Sequence, residues 1–277
     1  MYHSDCDCPA GVTLAANGDK IPSYSQKVWN AAVNHIRRTG SYSAKMLKDK
    51  PIHSALQETN RIITLAVQSG ITDNLPPEEM ITSLQNDVFV FSACKTHIEL
   101  KELSAMLVNN NGKITPLSEF RQKATAIHEQ YNQGYLEAEY IFATTSAQMA
   151  AKWSDLAKDE NRYDLQYRTA QDSKVRDSHR ALANITLPSE DPFWSSYYPP
   201  NGWRCRCTAV QVLKGKYEQS DPAKAISLGE TATTEIDSKG RNRSEMFRFN
   251  PGKEKVVFPQ SHPYYKVHNK IKNELPE

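Results

Sequence analysis

The stretch that decides the fold of this chain runs from residue 167 to residue 207. It contains, in order, Tyr167-Arg168-Thr169, then Asp172-x-x-Val175-Arg176-x-x-His179, then Pro199-Pro200-Asn201-Gly202-Trp203-Arg204-Cys205-Arg206-Cys207. Ionisable and sulfur-bearing side chains are concentrated in this short span. Such a concentration is typical of an active site, a metal site or a buried polar core.

The polarity pattern around this stretch predicts strand, helix and strand. Leu165 and Tyr167 alternate with polar residues, which indicates a strand with one buried face. From 172 to 183 the spacing becomes helical, so Asp172, Arg176 and His179 are expected on one helix face, with Asp172 and Arg176 as an ion pair. Alternation from 204 to 213 predicts a second strand.

That second strand would place the two thiols together. On a strand, alternate residues point to the same side, so Cys205, Cys207 and Ala209 would share one face, opposite Arg204 and Arg206.

The chain before this stretch is predicted to be mainly helical. Apolar residues from Val28 to Ile36 form the stripe of an amphipathic helix that ends near Gly40, and similar stripes recur up to Trp153. After the stretch, Asn250-Pro251-Gly252-Lys253 between two apolar runs predicts a β-hairpin over 246–258. The fold class is therefore α+β. A helical N-terminal region is followed by a small α+β domain around the 167–207 stretch, here called the signature domain, and by a C-terminal β-hairpin.

These patterns predict four segments. They are an irregular arm over 1–24, a helical region over 25–158, a signature domain over 159–213, and a C-terminal extension over 214–277 that carries the hairpin. The arm includes His3, Cys6 and Cys8, which could form half of a metal site. In a further alternative, Cys6 and Cys8 join Cys205 and Cys207 in a four-thiolate site.

Composition excludes several classes of protein. The net charge of +2 does not indicate chain-wide binding to nucleic acid. No apolar run approaches the roughly 20 residues of a membrane helix, and the N-terminus does not resemble a signal peptide, so we expect a cytoplasmic protein. The five cysteines are an odd number, which favours free thiols or a metal site over a disulfide framework.

The residues alone leave three roles open for the central stretch. A zinc ion could be bound by His179, Cys205, Cys207 and Asp172. Alternatively, Cys205 or Cys207 could act as a nucleophile with His179. In the third role the cysteines pack beneath Trp203, beside a buried polar core formed by Arg168, Thr169, Asp172, Arg176, His179 and Arg206. A cytidine deaminase is excluded, because His179 is not followed by the required Glu and the thiols have Cys-x-Cys spacing.

The ordered set of motifs resembles the signature of the phage Mu protein F family, the minor head or head morphogenesis proteins. The resemblance covers roughly residues 160–213 and implies a non-enzymatic protein of the capsid interior, encoded by a phage or prophage. It would be made in the host bacterial cytoplasm without membrane attachment. Its implied partners are portal protein, capsid or scaffold proteins and packaged double-stranded DNA.

Two further hypotheses concern the end of the chain. Lys239, Arg241 and Arg243 form its densest basic cluster, in a predicted loop, and are candidates for DNA phosphate contacts. Some members of the family carry toxin domains after the signature. The alternative function is therefore a metal- or thiol-dependent enzyme, or a toxin-type protein, that uses His179 with Cys205 or Cys207.

Overall fold

A computed structural model describes residues 21–156 and 161–276 of the chain. The predicted arm, with His3, Cys6 and Cys8, lies almost wholly outside the described residues. The helices are α1 (Gln26–Thr39), α2 (Lys50–Ile71), α3 (Glu78–Ala105), α4 (Leu117–Glu129), α5 (Leu136–Leu156), α6 (Asp177–Arg180), α7 (Phe193–Ser196), α8 (Pro222–Ala232), α9 (Pro251–Glu254) and α10 (His268–Ile271). The strands are β1 (Tyr163–Arg168), β2 (Thr186–Pro188) and β3 (Thr208–Leu213). The predicted α+β class is confirmed.

The first helix forms as its apolar stripe predicts. Trp29, Val33 and Ile36 are buried on one face of α1. Gly40 ends the helix in the left-handed conformation, at φ 71°, and its N–H donates to the Ile36 carbonyl. A glycine favours this position because it has no Cβ to clash there.

The three strands form one antiparallel sheet in the order β2-β1-β3. In its register, Leu165 of the central strand lies opposite Leu187 of β2 and Gln211 of β3. Sequence alternation predicts one buried face for β1, but both faces are covered, since Asp164 and Gln166 are also buried. The Gln166 amide donates to the Thr186 hydroxyl at 2.8 Å, which satisfies part of this buried polar surface.

The described residues fall into two compact units. The first unit comprises 67–84 and 141–259, and the second comprises 21–66, 85–140 and 260–276. The core of the first unit contains the two buried cysteines together with Leu165, Tyr167, Trp194 and Tyr198.

The helix predicted over 172–183 is wrong, because α6 begins only at Asp177. A side-chain oxygen of Asp172 accepts from the Lys174 N–H at 2.9 Å, which makes a local turn. Such turns compete with helix formation. Gln171 also lies at φ 56°, outside the helical region.

The β-hairpin predicted over 246–258 is also wrong. Asn250 and Pro251 form the N-cap and first turn of α9 instead, and the Asn250 side chain accepts from the Gly252 and Lys253 N–H groups. The Asn-Pro pair therefore starts a helix and does not make a hairpin turn. Among the described residues, none of the helices has the length and apolar character needed to cross a bilayer.

Candidate metal centre

His179 lies on α6 and is buried, with 3% of its surface exposed. Its ring packs close to the backbone of Gly202, where an added Cβ would stand 3.8 Å from the His179 Cε1 atom and 3.4 Å from the Arg176 Nη1 atom. These are ordinary contact distances, so the backbone at Gly202 lies beside the imidazole and the Arg176 guanidinium.

The two thiols meet this imidazole on one side. The Cys205 Sγ lies 3.6 Å and the Cys207 Sγ 3.7 Å from the His179 Nδ1. All three ligand atoms lie within 4.8 Å of one another. Both thiols are free and buried, so the arrangement is a buried Cys-Cys-His cluster.

The backbone before β3 places these thiols. Arg204 has a φ of 56°, and the Cys205 N–H donates to the Gly202 carbonyl at 3.2 Å, so a turn precedes the strand. The predicted strand from 204 is therefore wrong in its first residues, because β3 begins at Thr208. Cys205 and Cys207 nevertheless share a buried side with Ala209, as expected.

The thiols influence each other's titration. The pKa of Cys205 is lowered well below its usual value, first by a hydrogen bond with Cys207 and then by one with His179. The same contact with Cys205, together with burial, raises the pKa of Cys207. The hydrogen bond between the two thiols thus shifts their pKa values in opposite directions.

Asp172, the fourth ligand predicted from the sequence, lies outside this cluster. Its carboxylate is bound by Arg206 through both terminal guanidinium nitrogens, one contact measuring 2.7 Å. The hydrogen bond with Arg206 lowers the pKa of Asp172 to about 2. Arg206 stands between the two cysteines, so this pair connects the turn before α6 to the thiol segment.

The other residues predicted for a buried polar core are not all buried. Arg176 is exposed, although it donates to the Trp203 carbonyl at 2.8 Å. Arg168 and Thr169 are half-buried, and the Arg168 guanidinium lies 5.9 Å from the Tyr217 ring centroid. Trp203 packs against Phe142 and Phe247. Of the residues predicted for this core, His179 is buried and the others are half-buried or exposed.

A salt-bridge network organises the basic loop proposed for DNA. The Asp237 carboxylate accepts from Arg241 at 2.8 Å and from Arg243 at 3.4 Å. Both arginines remain about two-thirds exposed, at 68% and 66% of their side-chain surfaces. Asp237 therefore offsets part of the positive charge that Lys239, Arg241 and Arg243 would present to a phosphate.

Sequence reasoning missed a second buried polar cluster, which lies in the other unit. Lys95 and Glu139 form an ion pair with side-chain exposures of 0% and 4%. Nearby, the Asn132 amide donates to the buried Glu99 carboxylate. Asn132 lies on a π-helical turn, Gln130–Tyr135, between α4 and α5. The charged residues follow an ordinary helical pattern, so a buried position was not predictable from their spacing.

The comparisons with known proteins match a part of the chain that includes the motifs. Residues 101–210 match the family model described as "Phage Mu protein F like protein". The Mu F-like resemblance is confirmed. The chain is 25% identical over 139 residues to the "Putative capsid assembly protein F" of Escherichia phage Mu, and 41% identical over 69 residues to the "Mu-like prophage FluMu F protein" of Haemophilus influenzae.

The matched regions are only parts of each protein. They cover 50% and 25% of this chain, but only 29% and 16% of the phage Mu and Haemophilus relatives. No solved structure matches the chain significantly. The Mu F-like segment includes His179, Cys205, Cys207 and their neighbours, so the buried cluster belongs to the part of the chain that the family model describes.

Proposed function

We propose that this chain is a phage or prophage capsid assembly protein that acts by binding other head components. The single observation that carries the proposal is the Mu F-like segment over residues 101–210. One matching relative is named as a capsid assembly protein.

The geometry of the cluster supports binding over catalysis. His179, Cys205 and Cys207 each expose 3% of their surface or less. A nucleophilic thiol must reach a substrate, and reactive cysteines are generally at least partly exposed. A cluster that a substrate cannot reach is suited to a role in the fold and not to turnover.

The proposed partners are the portal protein and the capsid or scaffold proteins, with packaged double-stranded DNA as a further candidate. The DNA contact rests on the exposed Lys239, Arg241 and Arg243 loop. The site of action would be the capsid interior, after assembly in the bacterial cytoplasm.

Complementation of a gene deletion tests this proposal. The gene would be deleted from the phage or prophage that carries it, and DNA-filled heads would be counted by electron microscopy after induction. We expect few or no complete heads in the deletion and recovery with the wild-type gene. Undiminished production of filled, infectious heads in the deletion would contradict a role in assembly.

Two matched pairs of substitutions test whether the basic loop contacts DNA. Arg241→Glu with Arg243→Glu reverses the charge of the loop, whereas Lys45→Glu with Lys27→Glu changes the same net charge elsewhere. If the loop contacts DNA, only the first pair weakens the retention of a double-stranded DNA fragment in a gel-shift assay, and the effect fades at high salt. Equal retention by both pairs rules out this loop as the DNA contact.

A further inference from the structure

We propose that His179, Cys205 and Cys207 bind a zinc ion that holds the Mu F-like segment together. The proposal rests on the position of three ligand atoms of suitable chemistry in one buried cluster. It concerns the fold of the first unit and does not depend on the role in head assembly.

The distances between the ligand atoms fit a tetrahedral zinc site. Zn–S bonds of about 2.3 Å and Zn–N bonds of about 2.05 Å, at a tetrahedral angle, place nitrogen and sulfur about 3.6 Å apart. The His179 Nδ1 lies 3.6 Å from the Cys205 Sγ and 3.7 Å from the Cys207 Sγ. Both nitrogen–sulfur separations therefore match those that one zinc ion requires, and the three ligand atoms all lie within 4.8 Å of one another.

The surrounding contacts hold this arrangement in place. The Arg176 side chain donates to the Trp203 carbonyl, and Arg206 binds Asp172, so two contacts connect the α6 region to the thiol segment. These contacts lie on the segments that carry the ligands, since Arg176 is the N-cap of α6 and Arg206 separates the two cysteines in the sequence.

Ligand type favours zinc over the hard cations. Thiolate and imidazole ligands suit zinc, whereas magnesium and calcium prefer oxygen. Among residues 21–156 and 161–276, three groups join the cluster, and they supply three of the four positions of a tetrahedral ion.

Metal analysis of the full chain tests the proposal. The untagged protein, expressed with added zinc and purified under reducing conditions, should contain one zinc per chain by inductively coupled plasma mass spectrometry. Replacement of zinc by cobalt should give the thiolate-to-cobalt charge-transfer absorption. Cys205→Ser with Cys207→Ser should lose both signals. Cys94→Ala removes a buried thiol of the other unit and should keep them.

Two nearly isosteric variants at position 179 distinguish the loss of a zinc ligand from a general folding defect. His179→Asp places a zinc-binding carboxylate oxygen near the position of Nδ1, whereas His179→Asn places a weakly binding amide there. We expect His179→Asp to retain zinc and His179→Asn to lose most of it. If His179 has only a packing role, the two variants should contain the same amount of zinc as the wild type.

Several results would overturn the proposal. One is wild-type protein that contains no zinc and shows no cobalt charge-transfer band. Another is stoichiometric zinc in the Cys205→Ser with Cys207→Ser variant, particularly if Cys6→Ser with Cys8→Ser then loses it. Full zinc content in both His179→Asp and His179→Asn would also exclude His179 as a ligand.

Discussion

Arg206 binds the carboxylate of Asp172, which lies 34 positions earlier in the chain, through both terminal guanidinium nitrogens. The sequence spacing suggests a different pair, Asp172 with Arg176 on one helix. Because α6 begins only at Asp177, the aspartate instead connects a turn to the segment between the two cysteines. The pair therefore ties together the two parts of the motif that supply the buried imidazole and thiols.

Because of this pair, the stability of the protein should decrease at acid pH. The pKa of Asp172 is lowered from 3.8 to about 2 by its hydrogen bond with Arg206. A lowered pKa gives stability that is present above pH 3.8 and is lost as the pH falls toward 2. Between pH 5 and pH 3, the urea midpoint of the wild type should therefore fall further than that of Asp172→Asn. Asp177→Asn, at a fully exposed aspartate, is the matched control and should follow the wild type. Parallel curves for all three proteins would show that the pair is not formed in solution.

The buried ion pair of the second unit should be sensitive to the loss of one partner. Lys95→Met leaves the Glu139 carboxylate buried without its cation, and we expect a loss of about 3–5 kcal/mol in the free energy of unfolding. Lys123→Met breaks an exposed i,i+4 pair with Glu119 and should cost at most about 0.5 kcal/mol. Urea unfolding monitored by circular dichroism measures both values. Similar small losses in the two variants would argue against a charged, buried Lys95–Glu139 pair.

Glu99 should make the second unit less stable at alkaline pH. Burial raises the pKa of Glu99 from 4.5 to about 8. A raised pKa gives stability that is complete below pH 4.5 and is lost progressively as the pH rises through 8. Glu99→Gln should reduce the difference in unfolding free energy between pH 5 and pH 8.5. The exposed Glu129→Gln should leave that difference unchanged. If Glu99→Gln keeps the full difference in unfolding free energy between the two pH values, other groups cause that difference.

Gly252 should tolerate no side chain. A Cβ at this position would overlap the side chain of Trp153 in the same unit. We expect Gly252→Ala to destabilise the protein by about 1–3 kcal/mol, as overpacking usually does. Gly134→Ala adds the same methyl group where the nearest atom is 3.7 Å away, and should have little effect or a slight stabilising one. Thermal unfolding compares the two variants, and an unchanged midpoint for Gly252→Ala would mean that the α9–Trp153 packing is looser than described.

The elements that follow simple periodicity were predictable from the sequence. The apolar stripe of α1 and its terminal Gly40 produce the expected helix because both signals are local. The strand alternation around Tyr167 likewise places β1 correctly. The burial of its second face was not predictable, since it depends on residues distant in sequence that cover Asp164 and Gln166.

The candidate site was only partly predictable. Residue types and order identified His179, Cys205 and Cys207, which the fold brings together. Asp172 was wrongly grouped with them because the helical spacing ignored the competing turn at Asp172–Lys174. Its pairing with Arg206 depends on a contact between distant segments, which no local pattern reveals. The Asn250–Pro251 pair also shows that one dipeptide serves either a hairpin turn or a helix start.

Quantitative mass spectrometry of purified heads tests the central claim, that this chain is a structural component of the phage head. Heads would be isolated from induced cells by density-gradient centrifugation, and peptides of the chain would be counted relative to the major capsid protein. We expect a constant ratio that persists after high-salt washing and after nuclease treatment. Heads that are complete and infectious but contain none of this chain would contradict it.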